Sequence, residues 1–296
     1  MGPGRCAIGS ADVTPAAEVE IDEALVRGLL EDQHPDLADR SLEFVSSGFD
    51  NVTFRVGDDL AARLPRRALA VDLLANEQQW LPKVGPSLPV PVPIPVRVGH
   101  ATEAYPYPWS IVAWVPGSIV EHHPLGPRGA SELGHALRIL HGLDVPDDAP
   151  RSPYRGGPLA DRAPALVDRA TRLGLTDALD AWAAWSAAPP SGRTVWLHAD
   201  LHPRNVLSRD GRLAGLLDWG DLCAGDPAND LDAPWLLLPV EHHDAFWAAY
   251  GAIDHATEVR ARSWALYIAV TLIDAGMKDD PGFVAMGRVA LDRLLR

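Results

Sequence analysis

Two short stretches carry residues that could do chemistry together. The first is His198-Ala-Asp200-Leu-His-Pro-Arg-Asn205, and the second is Leu216-Leu217-Asp218-Trp219. Each follows an apolar run, so the pattern is strand, then H-x-D-x-x-x-x-N, then a turn, then a second strand ending in aspartate. Phosphoryl transfer explains why these residue types would stand at this spacing. Its transition state is loose, so a protein mainly positions groups and neutralises charge. Asp200 can take the proton of an attacking hydroxyl and hold that oxygen in line. Asn205 and Asp218 are a neutral and an anionic oxygen donor, a pair suited to Mg²⁺ on nucleotide phosphates. His198 fits a brace for the loop backbone better than a participant in the reaction.

The rest of the chain must place these groups. Leu42-Glu-Phe-Val-Ser-Ser, Val52-Thr-Phe-Arg-Val and Leu60-Ala-Ala-Arg-Leu read as short strands, separated by the turn-rich Gly48-Phe-Asp-Asn and Gly57-Asp-Asp. A short helix over 21–30 precedes them, and residues 1–20 read as a loose leader. A helix over 69–81 follows, with Pro82 expected to stop it. The prolines at 86, 89, 91, 93 and 95 suit an extended crossing. Strands over 96–99 and 109–115 complete a five-stranded antiparallel set. Pro116-Gly117 then marks a boundary, dividing 1–116 from 117–296. Beyond it the chain reads as helical, apart from apolar runs beginning at Val195 and Leu213. Strands first and helices afterwards give an α+β, two-lobed architecture.

The phrases HADLHPRNVL, LLDWGD and GDPANDLD resemble the aminoglycoside phosphotransferase family, whose fold is related to that of protein kinases. The likeness runs from about Leu42 to the C-terminus and is most specific over 197–230. It implies a nucleotide, ATP or GTP, held between two lobes with Mg²⁺, and phosphorylation of a small-molecule hydroxyl. In these terms Asp200 is the catalytic base, while Asn205 and Asp218 are the metal ligands. Asp226 and Asp230 would be scaffold residues, read here as a helix N-cap and a first-turn acid.

The same resemblance makes 46–51 the phosphate-covering loop, with Ser46, Ser47, Gly48 and Asn51 near the phosphates. Gly48 is its one glycine, so neither G-x-G-x-x-G nor a Walker A is present. The family's third strand usually offers a lysine paired with a helix glutamate. Here the match is Arg63, with Glu77 as its partner. Arginine is planar and bidentate, so the exchange is not neutral. Lys83, expected beyond the helix, is out of reach of that role. Ser110 to Gly117 resembles the interlobe linker, with adenine bonding near Ala113 and Val115. His141 reads as a packed helix-end histidine. Trp182 and Trp185 read as packing residues, and the pairs His122-His123 and His242-His243 lack the spacing of a zinc site.

Composition narrows the partners. The chain of 296 residues carries 40 acidic and 26 basic side chains, a net charge of −14. Such a balance disfavours nucleic acid. It would suit a cationic acceptor, for which Asp274, Asp279 and Asp280 are the available acids. Only Lys83 and Lys278 are lysines; the other basic residues are arginine. Two cysteines, Cys6 and Cys223, exclude a disulfide scaffold. No apolar run reaches the ~20 residues of a membrane span, and a cytoplasmic setting is expected. The resulting reading is an O-phosphotransferase acting on an antibiotic such as an aminoglycoside, a macrolide or a cationic peptide. A kinase of an endogenous sugar or amino alcohol and a nucleotide-binding pseudokinase are the competing readings.

Overall fold

In the computed structural model, which describes residues 17–296, the first helix α1 (Glu23–Gln33) starts where Asp22 caps it by accepting the Leu25 N–H at 2.8 Å. That cap shifts the helix C-terminal to its expected start. Val26, Leu29 and Leu30 on α1 are buried against the sheet that follows. Strands β1 (Leu42–Ser47), β2 (Asn51–Val56) and β3 (Leu60–Pro65) form an antiparallel meander, with Thr53 opposite Arg63. Alternation is plain on β2, where Val52, Phe54 and Val56 point inward.

Helix α2 (Ala70–Val84) departs from expectation because it runs through Pro82 instead of stopping there. A proline in the last turn removes one backbone bond, and burial of Trp80, Leu81 and Val84 offsets that loss. Lys83 therefore belongs to the last turn, its ammonium 3.8 Å from the Trp80 ring centroid. Strands β4 (Pro95–Gly99) and β5 (Trp109–Ala113) complete an antiparallel sheet of order β1-β2-β3-β5-β4. Strand β5 ends two residues early because the Trp114 N–H turns to Asp59 O.

The chain then leaves the sheet through β6 (Ser118–Ile119) and enters a mainly helical lobe. Its elements are α3 (Pro127–Leu140), α4 (Ala163–Arg172), α5 (Thr176–Trp185), β7 (Val195–Leu197), β8 (Val206–Arg209), β9 (Arg212–Leu216) and β10 (Cys223–Gly225). Helices α6 (Ala233–Leu237), α7 (His243–Tyr250), α8 (His255–Gly276) and α9 (Pro281–Leu295) follow. The β8–β9 hairpin pairs with β6, and β7 pairs with β10. The apolar run at 264–273 lies in α8, buried among the other helices. Among the described residues no helix is long and apolar enough to cross a membrane.

Two cores result. One lies between α1 and the sheet; the larger fills the helical lobe and takes in the end of α2. At that junction Trp80 packs on Trp196 of β7, ring centroids 5.3 Å apart and planes inclined by 51°. Asn76 of α2 also donates to Gly220 O and Leu222 O, both at 2.8 Å. The lobes are thus joined behind the cleft as well as through the linker.

Candidate active site

The loop after β7 owes its shape to buried acids and a neutral imidazole. Ala199 is held at φ 70° and Asp218 at φ 58°, in the left-handed region that costs a side-chain-bearing residue free energy. Asp230 fixes the first of these, accepting the His198 N–H at 2.8 Å and the Ala199 N–H at 2.7 Å. It is fully buried, with His141 Nε2 at 3.3 Å, and His141 in turn meets the Tyr250 hydroxyl at 2.9 Å. Asp230 therefore braces this loop, beyond the first-turn role expected for it. Asp226 does cap its short helix, and it also pairs with Arg260 at 2.7 Å. His198 lies buried against Trp219 with Nε2 2.8 Å from Leu217 O. Its Nδ1 faces the Asp200 N–H at 3.3 Å, which assigns the proton to Nε2. Burial pushes the imidazole pKa down and keeps it neutral. It ties the two loops together.

Both Asp200 oxygens have partners. Oδ1 lies 2.7 Å from the Arg155 guanidinium, and Oδ2 accepts from Asn205 Nδ2 at 3.0 Å with His202 at 3.5 Å. Burial alone would raise this carboxyl, but Arg155, with His202, outweighs it and holds the group well below the usual carboxylate range. The Asn205 amide also donates to Asp200 O at 2.9 Å, which leaves its Oδ1 for a cation. Asp218 is half-exposed; its Oδ1 takes one Arg63 nitrogen at 3.1 Å. The other terminal nitrogen of Arg63 grips Glu77 at 2.7 and 2.5 Å. Glu77 is buried, which raises its pKa, while Arg63 opposes that rise. Its Oε2 also accepts the Trp219 N–H at 3.2 Å.

A cavity of about 550 Å³ lies between the lobes. Ser46, Ser47, Gly48 and Asn51 line it from the β1–β2 turn, Arg63 from β3, and Ala113 and Val115 from the linker. Asp200, Asn205 and Asp218 line it from the helical lobe, so these three groups and Arg63 share one space. Glu77 is set behind Arg63. Val112, Leu207 and Leu217 add an apolar wall of the kind a flat purine ring needs. The oxygens of Asn205 and Asp218 suit Mg²⁺, which takes few protein ligands and keeps the rest for phosphates.

The three acids expected to meet a cation separate. Asp274 is almost buried and is held by Arg172 at 2.9 Å and Arg169 at 3.3 Å, away from the cavity lining. Asp279 does not line the cavity either. Asp280 does line it, but caps α9 through Gly282 N and Phe283 N and pairs with Arg204 at 2.5 Å. Arg155, His202, Arg204 and Phe283 were not anticipated. His202 and Arg204 occupy the variable positions of H-x-D-x-x-x-x-N, and Arg155 lies forty-five positions before Asp200 with no spacing to betray it. The cysteine and leader readings at Cys6 and before residue 17 fall outside the described residues.

A two-lobed fold with this loop, this strand arginine and this cavity defines a kinase-like phosphotransferase scaffold. The comparisons bear on its class. The model of the phosphotransferase enzyme family (APH) matches residues 41–264, and the chain belongs to that family. A homoserine kinase of Gluconobacter oxydans is 30% identical over 209 residues, 64% of each chain. A protein of Bacillus subtilis, YcbJ, is 31% identical over 118 residues, covering 38% of this chain and 39% of its own length. The alignments thus span less than two thirds of either curated relative. Among solved structures, an aminoglycoside 2′-phosphotransferase IIIa variant with GDP superposes with a TM-score of 0.74 at 21% identity, over 92% of this chain and 97% of its own. The macrolide 2′-phosphotransferase MphH of Brachybacterium faecium gives 0.61 at 22%, over 89% and 97%. These likenesses establish the fold.

Proposed function

We propose that this chain transfers the γ-phosphate of ATP or GTP to a hydroxyl of a small molecule. The observation that carries this reading is the convergence of Asp200, Asn205, Asp218 and Arg63 on one interlobe cavity. The acceptor oxygen forms a bond to the γ-phosphorus as the bond to the β-phosphate oxygen breaks. The hydroxyl proton passes to Asp200 and then to solvent. A carboxylate held so far toward its ionised form is a weak base. Its main service is to orient the hydroxyl while the proton leaves late, as a loose transition state requires. Arg63 meets phosphate oxygens beside Asp218, and backbone amides of 46–51 cover them. Asn205 and Asp218 would hold Mg²⁺, which would supply charge neutralisation at the phosphates. In this reading the donor lies in the interlobe cavity and the acceptor on its helical side, where Asp200 lines it.

An antibiotic acceptor, with resistance as the outcome, follows the aminoglycoside and macrolide enzymes that share the fold. A second reading, a kinase of an endogenous amino alcohol, is favoured by the homoserine kinase alignment. Either reaction draws on nucleoside triphosphates and so belongs in the cytoplasm. The test is γ-labelled ATP and GTP with Mg²⁺ against a panel of both acceptor kinds. Asp200→Asn is expected to lower transfer by about 10²–10⁴-fold while nucleotide affinity stays within a few-fold. Equal transfer by this variant would remove Asp200 from the reaction. Nucleotide binding without transfer to any acceptor would favour a pseudokinase.

A further inference from the structure

Four carboxylates line the cavity, and each already has an arginine. Asp50 lies 2.6 Å from Arg67, Asp200 2.7 Å from Arg155, Asp218 3.1 Å from Arg63 and Asp280 2.5 Å from Arg204. Toward α9 the lining consists of Asp200, His202, Arg204, Asp280 and Phe283, which is where an acceptor must lie to reach Asp200. Arg204 is shared with Glu121 at 2.7 Å and sits 4.2 Å over the Phe283 ring. Among the groups joined by these ion pairs, Asp200, Asp280 and Glu121 face Arg155 and Arg204, about one negative charge in excess before the buried Asp221 and Asp232 near Arg155 are added.

Arg155 does more than pair with one acid. Beyond Asp200 its guanidinium lies within electrostatic reach of Asp221 and Asp232. Asp232 is buried, and its Oδ1 has no hydrogen-bond partner among the described residues. The loop that carries Arg155 is fastened to the neighbouring segment: Gly156 N–H donates to Asn229 Oδ1 at 2.7 Å, and Asp226 N–H to Gly156 O at 2.9 Å. Arg155 is therefore presented to Asp200 by fixed backbone.

A substrate bearing several ammonium groups gains from a site chiefly where carboxylates are unpaired. Here each ammonium would have to displace a guanidinium that stays charged at any working pH and already makes a partly buried, charge-assisted bond. Displacement strands that arginine and removes the attraction it enjoyed. A neutral or singly charged alcohol needs none of this. It requires one free lone pair on Asp200 and an apolar surface such as Phe283.

We propose that Arg155 is the specificity-determining residue of the acceptor site. It supplies from within the chain the positive charge a polyamine substrate would bring, so the acceptor is a hydroxyl compound carrying at most one net positive charge. This rests on the phosphotransfer reading and narrows it away from polycationic aminosugars.

Calorimetric titration with spermine and with a deoxystreptamine-type aminosugar, each with and without a non-hydrolysable Mg²⁺–nucleotide, tests it. Wild-type protein is expected to bind both more weakly than about 1 mM. Arg155→Gln uncovers Asp200 and its neighbours and is expected to gain at least about tenfold in spermine affinity, a gain that high salt abolishes. Arg155→Lys, which keeps the charge, is expected to behave as wild type. Saturable wild-type binding of either polycation below about 10 μM would overturn the charge class. A folded Arg155→Gln protein with no gain would overturn the assignment to Arg155. Should that variant fail to fold, the wild-type titrations still decide the charge class, and Arg155→Lys decides the residue: loss of wild-type exclusion with the charge retained overturns it. Nucleotide affinity, read from the same titrations, is independent of these results; its absence would overturn the phosphotransfer reading instead.

Discussion

Arg63 shows what one planar cation can do that a lysine does not. One terminal nitrogen holds both oxygens of Glu77 and the other reaches Asp218, so three oxygens from two acids share one guanidinium. A lysine ammonium is a single point on a flexible stem and would keep Glu77 at the expense of Asp218. Arg63→Lys is therefore expected to lose about 1–2 kcal/mol, read from urea unfolding, and to raise the nucleotide KM. Arg63→Met leaves the buried Glu77 without its counter-charge and is expected to cost about 3–5 kcal/mol. Unchanged stability and unchanged KM in the lysine variant would show that the guanidinium does nothing here that an ammonium cannot do. Sequence reached this residue through the family resemblance, which sets Arg63 where the third strand usually carries a lysine. It could not reach Arg155, whose position depends on how the loop around Gly156 is stitched to Asn229 and Asp226, a fact of tertiary packing.

The loop between β7 and β8 depends on Asp230 for its shape, since two consecutive N–H groups converge on that one carboxylate. Asp230→Asn turns an acceptor oxygen into an NH₂ facing a backbone donor. The expected cost is about 2–4 kcal/mol in thermal or urea denaturation, with transfer reduced further than stability alone explains. A variant that kept full transfer would show that the Ala199 conformation does not need this brace. The meander β1–β3 and the position of α2 were legible because alternation and turn residues are local signals. Strands β6 and β10, of two and three residues, were not, since their partners lie far away in sequence. The overrun of α2 through Pro82 has the same origin: a local stop signal yielded to burial of Trp80 and Val84.

Stability of the whole chain should vary with pH in a way the acid cluster dictates. Burial pushes the Asp221 pKa up to about 6, against the opposing pull of Arg155, and burial raises Asp232 as well. Where the folded pKa exceeds the unfolded value, the native state binds more protons, so stability falls as pH rises between the two. For Asp221 that window runs from about 4 to about 6. Asp200 has the opposite sign, its contribution being present above the usual carboxylate pKa and lost only in stronger acid. Asp221→Asn is expected to remove about 2–3 kcal/mol of the loss between pH 4.5 and 7.5, measured from urea midpoints at both values. An equal loss in variant and wild type would place the titrating group elsewhere.

The Trp80–Trp196 contact also gives the molecule an optical property. One indole rides on the strand-rich lobe and the other on the helical lobe, and at their separation and tilt the two excited states mix. Such mixing splits the far-ultraviolet circular dichroism of the pair into a couplet of opposite signs whose amplitude falls steeply with distance. The couplet thus reports, without any attached dye, whether the end of α2 keeps its seat in the core of the helical lobe.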